Sequence, residues 1–156
     1  MKWLGISLRD LLNFGEGDII RHMIKIKKGK NTITNDVAYI AGFFDGEGCV
    51  RVKQASQGGN SYYVWVAITN SNKSILDYIA GIFGGSVKKA ERTPNKIIYH
   101  LLITSSEATD MLKTLLGFLR EKKEQAELAI KFHETKDKLS PIEKKKIYEK
   151  MRQLKH

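Results

Sequence analysis

The sequence predicts an α+β domain made of two helix–strand–strand units in tandem, followed by further helices. Three observations carry this. Hydrophobic periodicity switches between about 3.6 and 2 along the chain. Two turn signals, Gln57-Gly58-Gly59-Asn60 and Thr93-Pro94-Asn95-Lys96, each divide a pair of β-prone runs. An apolar stretch preceded by helix-capping residues stands before each pair. Two such units back to back give one antiparallel sheet with helices on one face and the other face free. The chain has 156 residues, 42% hydrophobic and 28% charged, enough for one domain with a real core.

Taken in order, residues 1–36 form an N-terminal extension. Leu4, Leu8, Leu11 and Leu12 suggest a short amphipathic helix, Gly15-Glu16-Gly17 a break, and Ile19, Ile20, Met23 and Ile24 a second helix before the basic stretch Lys25–Lys30. Thr34, Asn35 and Asp36 are cap residues for a helix starting near Val37. The core, 37–138, continues with a strand over Cys49–Lys53 and another over Tyr62–Thr69. A helix over Ser71–Phe83 shows Ile75, Leu76, Ile79 and Ile82 on one side, with Ser74 and Asp77 spaced as a capping box and Gly84-Gly85 as its stop. Strands follow over Ser86–Arg92 and Ile97–Thr104. Thr104 and Glu107 form a second capping-box pattern, opening a helix with Met111, Leu112, Leu115 and Leu116 apolar; another helix runs from about Arg120 to Lys136. Residues 139–156 form a C-terminal helix, announced by Ser140-Pro141-Ile142-Glu143 with Pro at the first helical position.

Bulk properties narrow the function classes. The 27 Lys and Arg residues against 17 Asp and Glu leave a net charge of +10, which favours a polyanionic partner such as nucleic acid. Half of that excess sits in residues 120–156, so a solvated basic tail would produce much of the same number. No apolar run reaches membrane-spanning length and the start is not signal-like, so no membrane partner is expected. A single cysteine, Cys49, points to an intracellular, reducing compartment. Four scattered histidines offer no zinc spacing, so any metal must be held by oxygen.

The most informative run is Ile40-Ala41-Gly42-Phe43-Phe44-Asp45-Gly46-Glu47-Gly48. Ala38, Gly42 and Gly46 are one helical turn apart, a nearly bare face that lets a second helix approach closely. Glu47 lies at the helix C-terminus, where a carboxylate is unfavourable unless a cation sits there too. Its alternative is a buried glycine-capped helix with an incidental exposed acid.

This run resembles the motif of the LAGLIDADG homing endonucleases, and the αββαββα order predicted from periodicity is the order that family uses. The resemblance covers residues 37 to about 136. It implies a site-specific double-strand DNA endonuclease that uses Mg²⁺, with Mn²⁺ able to substitute. It implies Glu47 as metal ligand with the Gly46 carbonyl beside it, and Asp45 as the motif's earlier acid. A single motif implies a homodimer paired through Ala38, Ala41, Gly42, Asp45 and Gly46, reading a long pseudo-palindromic site. Asn70 stands where single-motif members carry a solvent-orienting Gln, and Lys73 is the nearest basic residue after it. Alignment on Phe118 and Gln125 makes Lys122 the catalytic lysine. Two departures are Glu for the commoner Asp at 47 and the shorter Asn at 70. An intron RNA maturase acting on its own intron, or a DNA-binding protein without catalysis, are the alternatives on the same fold.

The free sheet face follows from alternation. Its first strand and turn present Arg51, Lys53, Ala55 and Gln57; the second presents Ser61, Tyr63, Trp65 and Ala67; the third Lys88, Ala90 and Arg92; the fourth His100. Arg and Lys can bond guanine edges in the major groove and Gln can bond adenine, with Tyr63 and Trp65 available for thymine methyls. An ordinary solvated sheet face is the competing reading.

Overall fold

A computed structural model describes residues 30–93 and 96–154, so the expected leader helices over residues 4–24 and the basic stretch up to residue 29 lie outside the described residues. Helix α1 (Lys30–Glu47) starts before the expected Val37. Thr34, Asn35 and Asp36 are therefore interior to it rather than at its N-terminal cap. No proline or glycine stands between Asn31 and Ala41 to stop the helix extending backwards, and cap preference is a weak prior against that.

Helix α1 passes without a loop into β1 (Gly48–Gln54), and β1 returns as β2 (Tyr62–Asn70) through a turn that includes Gly58 at φ 77°. Helix α2 (Lys73–Phe83), strands β3 (Ser86–Thr93) and β4 (Lys96–Thr104), and helix α3 (Ser105–Leu115) complete the second unit. Then come α4 (Lys123–Thr135), a 3₁₀ turn (Lys136–Lys138) and α5 (Pro141–Gln153). The four strands form one antiparallel sheet in the order β1-β2-β4-β3, which is the predicted α+β architecture.

All helices that contribute to the core lie on one side of the sheet. Val50, Val52, Val64, Val66, Ile68, Leu101 and Ile103 point to that side and bury against Ile40, Phe44, Leu76, Ile79, Met111, Leu112, Leu115 and Phe132. Each such side chain contributes on the order of 1.5–3 kcal/mol by leaving water. Helix α5 joins this core: Met151 is buried, and the Tyr148 ring lies 5.5 Å from Tyr62.

Local capping differs from expectation at two of three places. The α2 cap is Asn72, whose Oδ1 accepts the Ser74 amide at 3.0 Å, while Asp77 pairs with Lys73 instead of closing a box with Ser74. Thr104 is held extended opposite Trp65 and makes no side-chain cap, and Glu107 lies against Gly84, where a Cβ would meet its carboxylate. The Ser140–Glu143 box forms in full, with Pro141 next to it.

The junction at Gly48 needs glycine for space: a Cβ there would collide with the Phe44 ring and carbonyl. Gly48→Ala is expected to cost roughly 1–3 kcal/mol through overpacking, read from the urea midpoint. His133, between α3 and α4, has a buried Nδ1 without a hydrogen-bond partner. Desolvation first, then Lys136 and Lys113, lower its pKa against the opposing pull of Asp110 and Asp137. The unfolded chain thus binds this proton more readily, so stability falls as pH drops below about 6.5 and levels off once the folded form is protonated. Thermal melts from pH 7.5 to 5 are expected to show that fall, with a shallower slope in His133→Gln.

Candidate active site and nucleic-acid interface

The last turn of α1 leaves backbone carbonyls without helical partners and carries the negative end of the helix dipole. A cation answers both. The Lys122 ammonium donates to the Asp45 carbonyl, and the Asp45 carboxylate in turn accepts the backbone amides of Arg120 at 2.7 Å and Lys122 at 3.1 Å. Asp45 therefore fastens the loop between α3 and α4 to the end of α1 within its own chain. The role expected for it between two chains is one its carboxylate already fills locally. Lys122 is held at both backbone and side chain, within a helical turn of Gly46 and Glu47.

Glu47 is exposed at the tip of α1, and Gly46 beside it is also exposed. Among the described residues, no three His, Cys, Asp or Glu side chains gather into a metal cage. That donor set suits a hard divalent cation that keeps waters and takes one or two carboxylates plus substrate phosphates. A cleft of about 760 Å³ opens beside this point, lined by Gly46, Lys122, Gln125, the length of β1 and the end of α5.

Asn70 and Lys73 are engaged elsewhere. Gly48 pairs with Ile68, so Asn70 leaves the sheet at the same edge at which β1 enters it. Its Oδ1 accepts the Asn72 amide at 2.8 Å in the turn into α2. The Lys73 ammonium sits on both Asp77 oxygens at 2.7 and 2.6 Å. The structure thus brings Asp45, Gly46, Glu47 and Lys122 together, and gives Asn70 and Lys73 local partners instead.

On the opposite sheet face the four strands align. Arg51 stands across from Trp65, Lys53 from Tyr63, Thr69 from His100 and Lys88 from His100, with Ala90 across from Ile98. Ala67 belongs to this face but is 5% exposed, so it offers little contact surface. Ala55, Gln57 and Ser61 lie in the exposed hairpin end beyond the strands, closed by the Ala55 amide on the Ser61 carbonyl at 2.8 Å. Arg92 falls at a register break in β3, and its side chain is outside the described residues. Trp65 is half-buried rather than freely exposed, because the Lys53 ammonium lies 3.7 Å from its ring centroid.

Residues 34–117, just over half of the chain, match the family model of the LAGLIDADG-like domain. The chain belongs to the LAGLIDADG family. Its fold is shared by solved homing endonucleases. I-CvuI, in complex with the I-CreI target, superposes with a TM-score of 0.66 at 22% identity, covering 78% of this chain and 83% of that one. The archaeal intron-encoded I-Vdi141I, complexed with DNA, gives 0.64 at 18% identity, covering 79% and 86%. No curated protein sequence matches.

Within the LAGLIDADG helix, the small-residue face differs from the expected set at one position. Ala41 is fully buried with Ile40 and Phe44 in this chain's own core, one hundred degrees around the helix from Gly42. Gly42 and Gly46 are exposed, with no atom of the described residues within 4 Å of an added Cβ, and Ala38 is half-buried on their side. Two neighbours were missed on the sheet. Thr69 shares a 2.7 Å hydrogen bond with His100 Nδ1, and Cys49 Sγ accepts Arg51 Nε at 3.2 Å. Continuing the alternation Tyr63, Trp65, Ala67 by one step would have found Thr69.

Proposed function

We propose that this chain is a homodimeric, divalent-metal-dependent endonuclease that cuts both strands of a long, approximately two-fold DNA site. The observation that carries this reading is an exposed Glu47 two residues beyond Asp45, whose carbonyl tethers the Lys122 ammonium at the end of the motif helix, next to a basic open sheet. Membership of the family and the DNA held by the related I-CvuI and I-Vdi141I support it.

In this reading the Glu47 carboxylate and the Gly46 carbonyl would hold Mg²⁺, or Mn²⁺ in its place, which would supply charge neutralisation at the scissile phosphate and a more acidic water. Lys122 aims a positive charge at the phosphoryl oxygens, where negative charge grows as the bond breaks. Asp45 keeps that lysine from drifting by fixing its backbone. Asn70 still has its amide nitrogen to offer a water, since only Oδ1 is used in the turn. Arg51, Lys53, Lys88 and His100 line the strands that enter the major groove. A second copy, packed on Ala38, Gly42 and Gly46, supplies the second acid that the second strand requires.

The test is selection of bound duplexes from a randomised library by the full chain, followed by cleavage of the selected duplex with Mg²⁺ and with EDTA. Double-strand cutting at one position with Mg²⁺ alone is the expected result. Specific binding without cutting in any divalent metal would replace this reading with a non-catalytic DNA-binding protein.

A further inference from the structure

Two cationic side chains of the open face converge on one ring. Arg51 stands directly across the β1–β2 ladder from Trp65, and its guanidinium carbon lies 5.7 Å from the ring centroid. Lys53, diagonal to Trp65, places its ammonium 3.7 Å from the same centroid. Arg51 is further restrained because its Nε donates to Cys49 Sγ at 3.2 Å. All four residues are half-buried, each covering the next.

The arrangement restricts what each group can do. One face of the indole is already occupied by a cation, so a thymine methyl or base could reach that face only by displacing Lys53. The Arg51 Nε–H is spent on sulfur, which leaves its two Nη groups as donors. Two parallel N–H groups are what the O6 and N7 acceptors of guanine take in the major groove. Long cationic side chains normally lose rotamer freedom on binding; here that ordering is already present in the free protein.

Resting on the DNA-cutting reading above, we propose that Trp65 is a positioning residue that, with Cys49, presets Arg51 to read a guanine and does not itself touch a base. Lys53 over the ring completes the cassette and keeps that face of the indole closed to bases. A cation–π contact depends on the ring and survives, weakened, on phenylalanine, whereas leucine abolishes it.

The experiment has two arms, both on the full chain. In the free protein, the Lys53 ε-methylene protons are expected to be shifted upfield by the Trp65 ring current. The shift should persist in part in Trp65→Phe and vanish in Trp65→Leu. Ordinary Lys53 shifts in the wild type would overturn the proposal without reference to DNA. In the second arm, affinity is measured for the duplex selected by the wild type and for every single-base-pair change of it. Trp65→Leu is expected to lose about tenfold discrimination at the G·C pairs that Arg51→Ala also affects. Non-specific affinity and the salt slope should hold, because both cations remain. Trp65→Phe and Cys49→Ala should fall between. A uniform loss on every duplex, or a loss at A·T pairs that Arg51→Ala leaves alone, would overturn it. If the wild type selects no duplex, the DNA reading fails and takes the base-reading role with it. The first arm still decides whether Trp65 anchors the two cations.

Discussion

Glu47→Gln is expected to abolish cleavage of a selected duplex while leaving its binding nearly unchanged. The amide keeps the size and one carbonyl oxygen but removes the negative charge that a hard cation requires. Loss of a preorganised charge-stabilising group at a phosphoryl centre lowers the rate by on the order of 10²–10³-fold, and loss of a metal ligand by at least that. Binding should persist because the sheet residues proposed to meet DNA lie on β1 to β4, not at the tip of α1. Folding should persist too, since Glu47 is exposed. Single-turnover cleavage, titrated with Mg²⁺ for wild type and variant, separates these effects. Cleavage within a factor of three of wild type would remove Glu47 from the site and leave Lys122 with only its capping contact at the end of α1.

Gly42→Leu should split the proposed dimer without unfolding the chain. Among the described residues nothing lies within 4 Å of a Cβ at Gly42, so a leucine would meet none of them there. In a dimer paired through this face, the same side chain would stand where the second helix backbone must come. The expected result is a dissociation constant raised on the order of 30-fold or more, the scale of an interface hot spot. Sedimentation across a concentration series reads this directly. Gly42→Ala is the control, because it adds little bulk and should favour the helix by up to about 1 kcal/mol. A Gly42→Leu protein that stays dimeric would move the interface to another surface.

The strand faces were legible from sequence because alternation is a local property. Arg51, Lys53, Tyr63, Trp65, Lys88 and His100 all fall where period-two counting puts them. The helix faces were less so. Ala41 and Gly42 are adjacent and similarly small, and only the packing of Ile40 and Phe44 decides which of them turns inward. The capping boxes expected at Ser74 and Thr104 failed for a related reason. Asn72 offered an earlier cap, and the ladder partner of Thr104 held it extended. Within the site, Glu47 and Lys122 were found by motif. The tether of Lys122 to Asp45 was not, because the two are 77 residues apart and nothing local records their meeting. Occupation of Asn70 and Lys73 by Asn72 and Asp77 is likewise invisible until the turn into α2 is built.

The absence of a loop between α1 and β1 has a consequence for how such a protein can change. Glu47 and Gly48 are consecutive, so the acid at the tip and the first strand of the open sheet form one rigid ruler. One residue inserted between them would rotate every β1 side chain to the other face, sending Arg51 and Lys53 toward the core and Val50 and Val52 into solvent. Deletion would do the same. For the DNA-cutting role proposed above, new preferences can therefore arise by exchanging side chains along the strands, but the offset between cut and first-read base pair is fixed by the chain itself. Variants of this protein with altered targets are expected to keep that offset to the base pair.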